Sequence, residues 1–221
     1  EAAFDPAKVA ERKAREDGST VLRRVEDRGE YEFLERLQKG DIVVVRGKMD
    51  QCQEVLDVLK LPYTLITREE AASKVATLDP RAVLVYNCDS IPEKKLGTKE
   101  AAGLAGFVAN GGYLFTTDWV LTEAIIPAMK GPLEAGPMTG QQRFESKIAP
   151  SRAAATHPYM RDVFPANPFE QAKMKWKFDT LCCTIKPGPI GTSLVECAEL
   201  GWKHGAPCVA ATFRHGKGAV L

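Results

Sequence analysis

The sequence lacks the features that mark membrane-spanning, secreted or nucleic-acid-binding proteins. No apolar run approaches the roughly 20 residues that a helix needs to cross a bilayer. The formal net charge of +1 gives no overall field that would attract nucleic acid or an anionic membrane. Nothing at the start resembles a signal peptide, and the chain begins at Glu1 without methionine, as a trimmed segment would. We therefore predict no nucleic-acid partner and no membrane segment within this chain.

The cysteines also lack a recognisable metal or redox pattern. No two of the six form a C-x-x-C pair, and no histidine lies at metal-ligand spacing from them. Most lie in apolar stretches, where a free cysteine packs as a small hydrophobic residue. The pattern predicts reduced thiols, a cytoplasm-like compartment, and neither metal nor cofactor, while a disulfide that involves Cys182 or Cys183 stays open. The six are Cys52, Cys88, Cys182, Cys183, Cys197 and Cys208.

What the chain does contain is a series of short apolar runs that end abruptly in polar residues. Examples are residues 42–45, 83–85 and 113–115, each followed by a stretch with a helical pattern. Short, non-alternating runs separated by helices are typical of parallel strands that are buried on both faces. A chain of 221 residues with 44% hydrophobic residues suits one α/β domain. The predicted strands cover 41–46, 63–66, 82–86 and 112–117.

Helices are predicted between these strands. The first begins at Asp50, which is placed as its N-cap, and a brief second helix covers 68–75. A third covers 98–109, with Thr98 as its cap and the glycines after Asn110 as its stop. The fourth runs from about Trp119 to Met129, with a kink near Pro127. The four helices are therefore assigned to 50–61, 68–75, 98–109 and 119–129.

The composition changes after Gly131, where proline and glycine accumulate. Residues 181–186, 192–199 and 208–214 predict shorter strands that extend the sheet, in part antiparallel, instead of building a second domain. Lysines alternate with apolar residues over 173–178, which favours an edge strand with one wet face over a surface that stacks nucleic-acid bases.

The first 40 residues form a separate region in this interpretation. They are rich in charges of both signs and predict a helical arm that is broken near Gly18. The arm is either a partner-binding segment or a salt-bridged surface helix. The predicted organisation is therefore an arm over 1–40 and one α/β domain over 41–221.

The polar residues that follow the strands are predicted to form the site. The carboxyl ends of parallel strands meet at one edge of a sheet, and ligands bind in the crevice outside that edge. We expect the residues after the first, third and fourth strands to line this crevice. They are Arg46, Gly47, Asp50, Asn87, Cys88, Asp89, Thr116, Thr117, Asp118 and Trp119.

Several of these residues have a structural interpretation beside the functional one. Asp118 is a candidate general base or ligand acceptor, but Asp118 or Thr117 is equally a candidate N-cap of the next helix. Arg46 could bind a carboxylate or phosphate, or form an ion pair with Asp89 or Asp118 across the crevice. Cys88 has no histidine close in sequence to activate it as a nucleophile.

With these residues in this order, the chain resembles the class I glutamine amidotransferase-like superfamily, in particular its trehalose-utilisation (ThuA-like) and other non-amidotransferase branches. The resemblance rests on Gly-Gly-Tyr-Leu-Phe-Thr-Thr-Asp-Trp at 111–119, Thr-His-Pro at 156–158, and the segments 207–210 and 215–220. It covers roughly residues 41–221. It implies a flavodoxin-like, doubly wound, mostly parallel sheet with helices on both faces.

The catalytic pattern of that family is missing. The family places a cysteine on a strained turn between strand and helix, and a late His-x-Glu pair supplies the base. The matching position here falls on Thr117 or Asp118, without the flanking glycines. None of His157, His204 and His215 is followed by glutamate two residues later.

The resemblance therefore implies a non-catalytic domain that binds a ligand or a protein partner. The alternative is a hydrolase or isomerase of altered chemistry that acts on a sugar-like substrate. For that alternative the candidate catalytic residues are Asp118, Thr117 and Asp89. Both a small molecule and a protein remain open as the partner.

Overall fold

The computed structural model of the protein describes residues 18–89 and 96–221, and a mixed sheet forms its centre. Twelve strands are assigned in the described residues. They are β1 (Ile42–Val45), β2 (Thr64–Ile66), β3 (Val83–Tyr86), β4 (Tyr113–Thr116), β5 (Leu133–Met138), β6 (Phe144–Lys147), β7 (Ala149–Pro150), β8 (Lys175–Phe178), β9 (Cys183–Pro187), β10 (Gly191–Glu196), β11 (Cys208–His215) and β12 (Gly218–Val220).

The helices connect and flank these strands. A π-helical turn, Leu121–Ile125, leads directly into α6, and short 3₁₀ turns cover Val75–Thr77, Arg152–Thr156 and Pro158–Met160. Across the two described ranges, no helix combines the length and apolar character needed to cross a bilayer. The helices are α1 (described over 18–27), α2 (Tyr31–Glu35), α3 (Cys52–Val58), α4 (Arg68–Lys74), α5 (Thr98–Ala109), α6 (Ile126–Ala128), α7 (Pro168–Gln171) and α8 (Ala198–His204).

The order of the main sheet is β2-β1-β3-β4-β12-β11-β10-β7. The first five strands in this order run parallel, with Val44 opposite Val85 and Val85 opposite Phe115. All four residues of β1 are buried, which explains why the run does not alternate with polar residues. The four predicted strands and the mostly parallel α/β sheet are thereby confirmed.

The second half of the sheet is antiparallel. β11 and β12 form a hairpin whose turn includes Gly216 at φ +59°, and β10 and β7 continue the sheet beyond β11. β9 joins β11 and carries β5 on its other side, while β6 and β8 form a separate two-stranded sheet. The predicted antiparallel extension is confirmed. The predicted strand 192–199 is too long, because Cys197 is the N-cap of α8 and the helix buries Leu200.

Apolar residues on both faces of the parallel strands pack against helices, although Tyr113 of β4 stays 45% exposed. On one face Val45, Leu84 and Leu114 join a core with Leu104 of α5 and Ile125 of the π-helical turn. On the opposite face a smaller core forms around Ile42, Val44 and Val85. Leu56 of α3 and Leu37, which follows α2, pack against it. The burial on both faces fixes which residues of each strand point toward which layer.

The predicted helix starts need two corrections. The N-cap of α3 is Gln51, not Asp50, and Asn87 accepts a hydrogen bond from the Cys52 backbone N–H at 3.2 Å. Thr98 is the first residue of α5 and Gly97 is its N-cap. The side chain that bonds the first N–H of α3 is therefore Asn87, in the loop after β3, and not Asp50.

The predicted irregularity near Pro127 is a π-helical turn that lies just before the proline. Because Pro127 has no N–H, the Glu123 carbonyl lacks its usual intrahelical partner and accepts a hydrogen bond from Leu96 N–H at 2.9 Å. Turns of this kind are frequent at functional sites. Here the turn brings the Glu123 side chain into the core, where the residue is 4% exposed.

The described part of the arm packs against the rest of the protein. Gly18 lies in α1, where an added Cβ would come within 2.6 Å of Val58 Cγ1. Arg28 donates to the Asp162 carboxylate at 2.5 Å, and Arg24 donates to the Asp162 carbonyl at 2.7 Å. The contact of Arg28 is an ion pair and that of Arg24 is a hydrogen bond to a carbonyl, and the choice between a salt-bridged surface helix and a partner-binding segment stays open. Residues 1–17 of the predicted arm lie outside the described residues, and the boundary at residue 40 stays a prediction.

Candidate functional site

A strained turn links β4 to the following helical segment. Asp118 adopts φ +41°, a region that non-glycine residues seldom occupy and that aspartate tolerates better than most. The turn is closed by Val120 N–H on the Thr117 carbonyl and by Leu121 N–H on the Asp118 carbonyl, at 3.1 and 3.2 Å. Of the two positions that the sequence left open, the strained one is therefore Asp118. We call residues 117–119 the elbow.

A chain of hydrogen bonds ties the elbow to the loops after β1 and β3. Thr117 Oγ1 donates to Asp50 Oδ2 at 2.5 Å and accepts from Cys88 N–H at 3.2 Å. Neither side chain caps a helix, since no side-chain cap bond is formed at the start of α3 or of the π-helical turn. The three loops that sequence reasoning placed at one edge are thus joined through three of the predicted residues.

Gly47 is needed for the close contact between two of these loops. An added Cβ would lie 2.3 Å from the Cys88 carbonyl oxygen and 2.7 Å from Asn87 Cβ. The same Cys88 carbonyl accepts hydrogen bonds from Met49 and Asp50 N–H, at 3.1 and 3.3 Å. The group that lies closest to Gly47 is therefore the backbone of the loop after β3, and a ligand contact at Gly47 stays a prediction.

Asn87 is fully buried and is engaged in positioning α3. Its Oδ1 accepts from Cys52 N–H at 3.2 Å, and its Nδ2 donates to Gln53 Oε1 at 3.0 Å. Both ends of the amide are therefore bonded within the protein. Asn87 shapes the crevice from below and offers no free group to a ligand.

Cys88 is also fully buried, directly beneath the elbow. Burial is the largest cause that raises the pKa of its thiol, to about 11. A hydrogen bond from the Trp119 backbone opposes this shift, and the nearby charges of Asp118 and Asp50 add to it. The thiol is protonated near neutral pH, so Cys88 lacks the thiolate that a nucleophile requires.

The elbow carboxylate has an environment unlike that of an exposed aspartate. Although Asp118 is exposed as a residue, desolvation of its carboxyl group by neighbouring atoms raises its pKa to about 6. The charges of Asp50 and Asp179 add to this increase. Within the described residues no backbone N–H bonds the Asp118 side chain, so the predicted N-cap role is wrong. The first-turn N–H groups bond the Thr117, Asp118 and Trp119 carbonyls instead.

The predicted ion pair of Arg46 is absent. Arg46 is exposed, its backbone N–H bonds the Ile66 carbonyl at 2.9 Å, and no carboxylate in the described part of the chain lies within ion-pair distance of its guanidinium. The cation that pairs with Asp89 is Arg68, whose Nε lies 3.4 Å from Asp89 Oδ2. Pairing of Arg46 with Asp89 or Asp118 is therefore corrected to pairing of Arg68.

Arg68 is the centre of a charge cluster that sequence reasoning missed. Its guanidinium pairs with Glu123, donates to the Asn87 carbonyl at 3.0 Å, and lies 5.1 Å from the centre of the Tyr86 ring. The Arg68 and Glu123 side chains are only 13% and 5% exposed. A signal for Arg68 was present, since it follows the end of β2 and so lies at the same edge. Glu123 carried no comparable signal within its helical pattern.

The remaining predicted residues have mainly structural contacts. Thr116 N–H bonds the Leu221 carbonyl at 2.7 Å, which continues the pairing of β4 with the strand beside it. Trp119 is half-buried and packs against the main core. Throughout residues 18–89 and 96–221, no group of three or more histidine, cysteine, aspartate or glutamate side chains is arranged to hold a metal ion.

No protein-family model matches the sequence, and no curated protein matches it either. Among solved structures, one that is similar is the exo-β-1,4-mannosidase Op5Man5 from Opitutaceae bacterium strain TAV5. The match has 12% identity and a TM-score of 0.44, and covers 81% of this chain and 30% of that chain. This chain thus spans less than a third of that enzyme's length. Similarity at this level carries no inference about what the protein does.

Proposed function

We propose that the chain is a flavodoxin-like domain of the class I glutamine amidotransferase-like type that binds a ligand or partner and does not hydrolyse glutamine. The order β2-β1-β3-β4 with β12 as the fifth parallel strand supports the fold assignment, because flavodoxin-like sheets have the order 2-1-3-4-5. In such sheets the ligand crevice lies between the first and third strands, where the order reverses.

The observation that carries the proposal is Asp118 at the elbow, the position where the amidotransferases place a cysteine. A carboxylate there cannot form the thioester that glutamine hydrolysis by a cysteine requires. The nearest thiol, that of Cys88, is buried and has a pKa of about 11. None of the chain's three histidines shares a hydrogen bond with either residue in the described structure.

The crevice still offers charged groups to a bound molecule. Arg46 is exposed and has no carboxylate partner among the described residues, so it can accept a carboxylate or phosphate. Asp118 is exposed on the facing loop and can accept a hydrogen bond from a hydroxyl or amine. A ligand with an anionic group and a hydrogen-bond donor is the class that suits both.

The test combines an activity assay with a binding screen. The chain and Asp118→Ala are assayed for ammonia release from glutamine, and both are expected to give the rate of buffer alone. A thermal-shift screen over sugar phosphates, nucleotides and amino acids is expected to find a ligand that stabilises the native state. Arg46→Ala should reduce that shift, while Arg36→Ala, an exposed arginine outside the crevice, should not. Glutamine turnover that disappears in Asp118→Ala contradicts the proposal.

One observation favours an enzyme of altered chemistry as the second candidate. A carboxylate with a pKa of about 6 is closer to the operating pH than an ordinary aspartate, and a general base works best under that condition. A hydrolase or isomerase of a sugar-like substrate would use Asp118 in that role. Turnover of aryl glycosides or sugar phosphates with an apparent pKa near 6, lost in Asp118→Asn, would establish this candidate over the first.

A further inference from the structure

An apolar groove crosses the face of the sheet over β3, β4 and β12. Its lining includes Val83, Tyr113, Phe115, Tyr159, Ala219 and Leu221. Parallel strands are normally covered on both faces, yet Tyr113 is 45% exposed. The groove lies on a face of the sheet and shares no lining residue with the elbow. It is therefore separate from the crevice discussed above.

The strand register places a cation at one end of this groove. Val83 lies opposite Tyr113, Tyr113 opposite Ala219, and Ala219 opposite Arg214. Directly paired residues point to the same face of a sheet. The row across four strands thus starts with apolar side chains and ends with the guanidinium group of Arg214.

Arg214 has no carboxylate partner in the described parts of the chain. It is exposed, and its guanidinium makes one long hydrogen bond, of 3.5 Å, to the Lys217 carbonyl. Burial raises the pKa of Tyr159, and the neighbouring Tyr113 and Arg214 act on it with opposite signs. Two phenol groups and one unpaired guanidinium therefore lie together at the end of the apolar lining.

We propose that this groove binds an amphipathic monocarboxylate, with its aryl or alkyl tail over Phe115 and Ala219 and its carboxylate at Arg214. The apolar lining suits the tail, because burial removes apolar surface from water on both sides. The single unpaired cation suits the head, since an arginine can bind a carboxylate with two parallel hydrogen bonds.

Titration calorimetry with 4-phenylbutyrate and octanoate tests the proposal, with 4-phenylbutan-1-ol and 1-octanol as uncharged probes of the same shape. The protein should bind the carboxylates saturably and more tightly than the alcohols. Arg214→Gln should weaken carboxylate binding by about tenfold and leave alcohol binding unchanged, because it removes only the charged hydrogen bonds. Arg36→Gln, an exposed arginine paired with Glu32 outside the groove, should bind like the original protein.

Ala219→Leu should abolish binding of both probe types, since the longer side chain fills the groove. If this variant does not fold, Tyr113→Ala at its exposed position serves the same purpose and should weaken both probe types. The proposal is overturned if the protein binds no probe saturably, or if Arg214→Gln binds the carboxylates with unchanged affinity. A concentration-dependent dimer that Ala219→Leu disrupts also overturns it, because the groove would then join two copies of the chain. None of these outcomes depends on the elbow, so failure here leaves the proposed function untouched.

Discussion

Two groups of charged residues at the carboxyl edge of the sheet, which we call its two corners, differ in whether a cation lies beside their carboxylates. In one corner Arg68 lies between Asp89 and Glu123, so the buried Glu123 carboxylate has a cation beside it. In the other corner Asp118 and Asp50 lie near each other above Cys88, and the charge of Asp50 raises the pKa of Asp118. In the first corner both carboxylates have Arg68 as their ion-pair partner, although Arg68 Nε and Glu123 Oε2 have no hydrogen-bond partner in the described structure. The second leaves negative charge that a ligand's hydrogen-bond donor could stabilise, which is why the proposed function centres on it.

The largest expected effect comes from breaking the compensated corner. Arg68→Met keeps most of the side-chain volume but leaves Glu123 without its cation in the core. Removal of one partner from a buried ion pair typically costs about 3–5 kcal/mol, because the other charge stays buried. Urea unfolding should therefore show a loss of this size. Arg81→Met, which breaks an exposed pair with Asp79, should cost about 0.5 kcal/mol or less.

A double variant sharpens the interpretation of this loss. If the cost arises from an uncompensated carboxylate, Arg68→Met combined with Glu123→Leu should recover much of the stability. A single Arg68→Met variant that is no less stable than Arg81→Met would show that the cluster contributes little. The Arg68 cluster would then behave like an exposed ion pair, and the contrast between the two corners would not hold.

The next largest effect concerns the close contact between the loops after β1 and β3. In Gly47→Ala the added Cβ would meet the Cys88 carbonyl at 2.3 Å, so the loops after β1 and β3 must move apart. Overpacking of this kind costs about 1–3 kcal/mol. Gly106→Ala in α5 is the matched control, because no atom lies within 4 Å of its added Cβ. It should stabilise the protein by about 0.5–1 kcal/mol, and equal midpoints for both variants would contradict the close approach.

A smaller loss is expected at the hydrogen-bond chain beneath the elbow. Thr117→Val keeps the shape of the side chain and removes the hydroxyl that bonds Asp50 and Cys88 N–H. An unsatisfied buried donor costs about 1–3 kcal/mol. Thr77→Val, whose hydroxyl bonds an exposed carbonyl of Lys74, should change stability by about 0.5 kcal/mol or less. A Thr117→Val loss no greater than this control would argue that the loops are held by their backbone contacts alone.

Sequence reasoning located this edge because burial on both faces leaves a strong signal in the strands. The residues of β1 and β3 are apolar at consecutive positions, and the polar residues after them could only lie at the carboxyl ends. Sequence reasoning was wrong where the hydrogen-bond or ion-pair partner of a side chain lies far away in the sequence. Asp50 was predicted to cap α3, but its carboxylate accepts a hydrogen bond from the Thr117 hydroxyl instead. The prediction of Arg46 rests on the ends of β1, β3 and β4, whereas the arginine that forms the ion pairs, Arg68, follows the end of β2.

The smallest effect is a pH dependence that distinguishes the uncompensated corner directly. The pKa of Asp118 is raised to about 6 in the folded protein, above that of an unfolded aspartate. The folded state therefore binds this proton more tightly, and the Asp118 contribution to stability falls as the pH rises from about 4 to about 6. Asp118→Asn keeps a side chain that tolerates the positive φ and removes the charge. The variant should be more stable than the original protein at pH 8, by about 1 kcal/mol or less because solvent screens an exposed group.

Asp79→Asn is the control, because its effect on stability should change with pH in the opposite direction. Arg81 holds the pKa of Asp79 down at about 2, so its stabilising effect is present at neutral pH and is lost as the pH falls through that value. Chemical unfolding of both variants between pH 3 and pH 8 should show Asp118→Asn gaining stability relative to the original protein as the pH rises. Asp79→Asn should show a relative loss over the same range. Parallel pH profiles for Asp118→Asn and the original protein would mean that the elbow carboxylate behaves as an ordinary surface aspartate, and both the binding role and the general-base role of Asp118 would lose their electrostatic support.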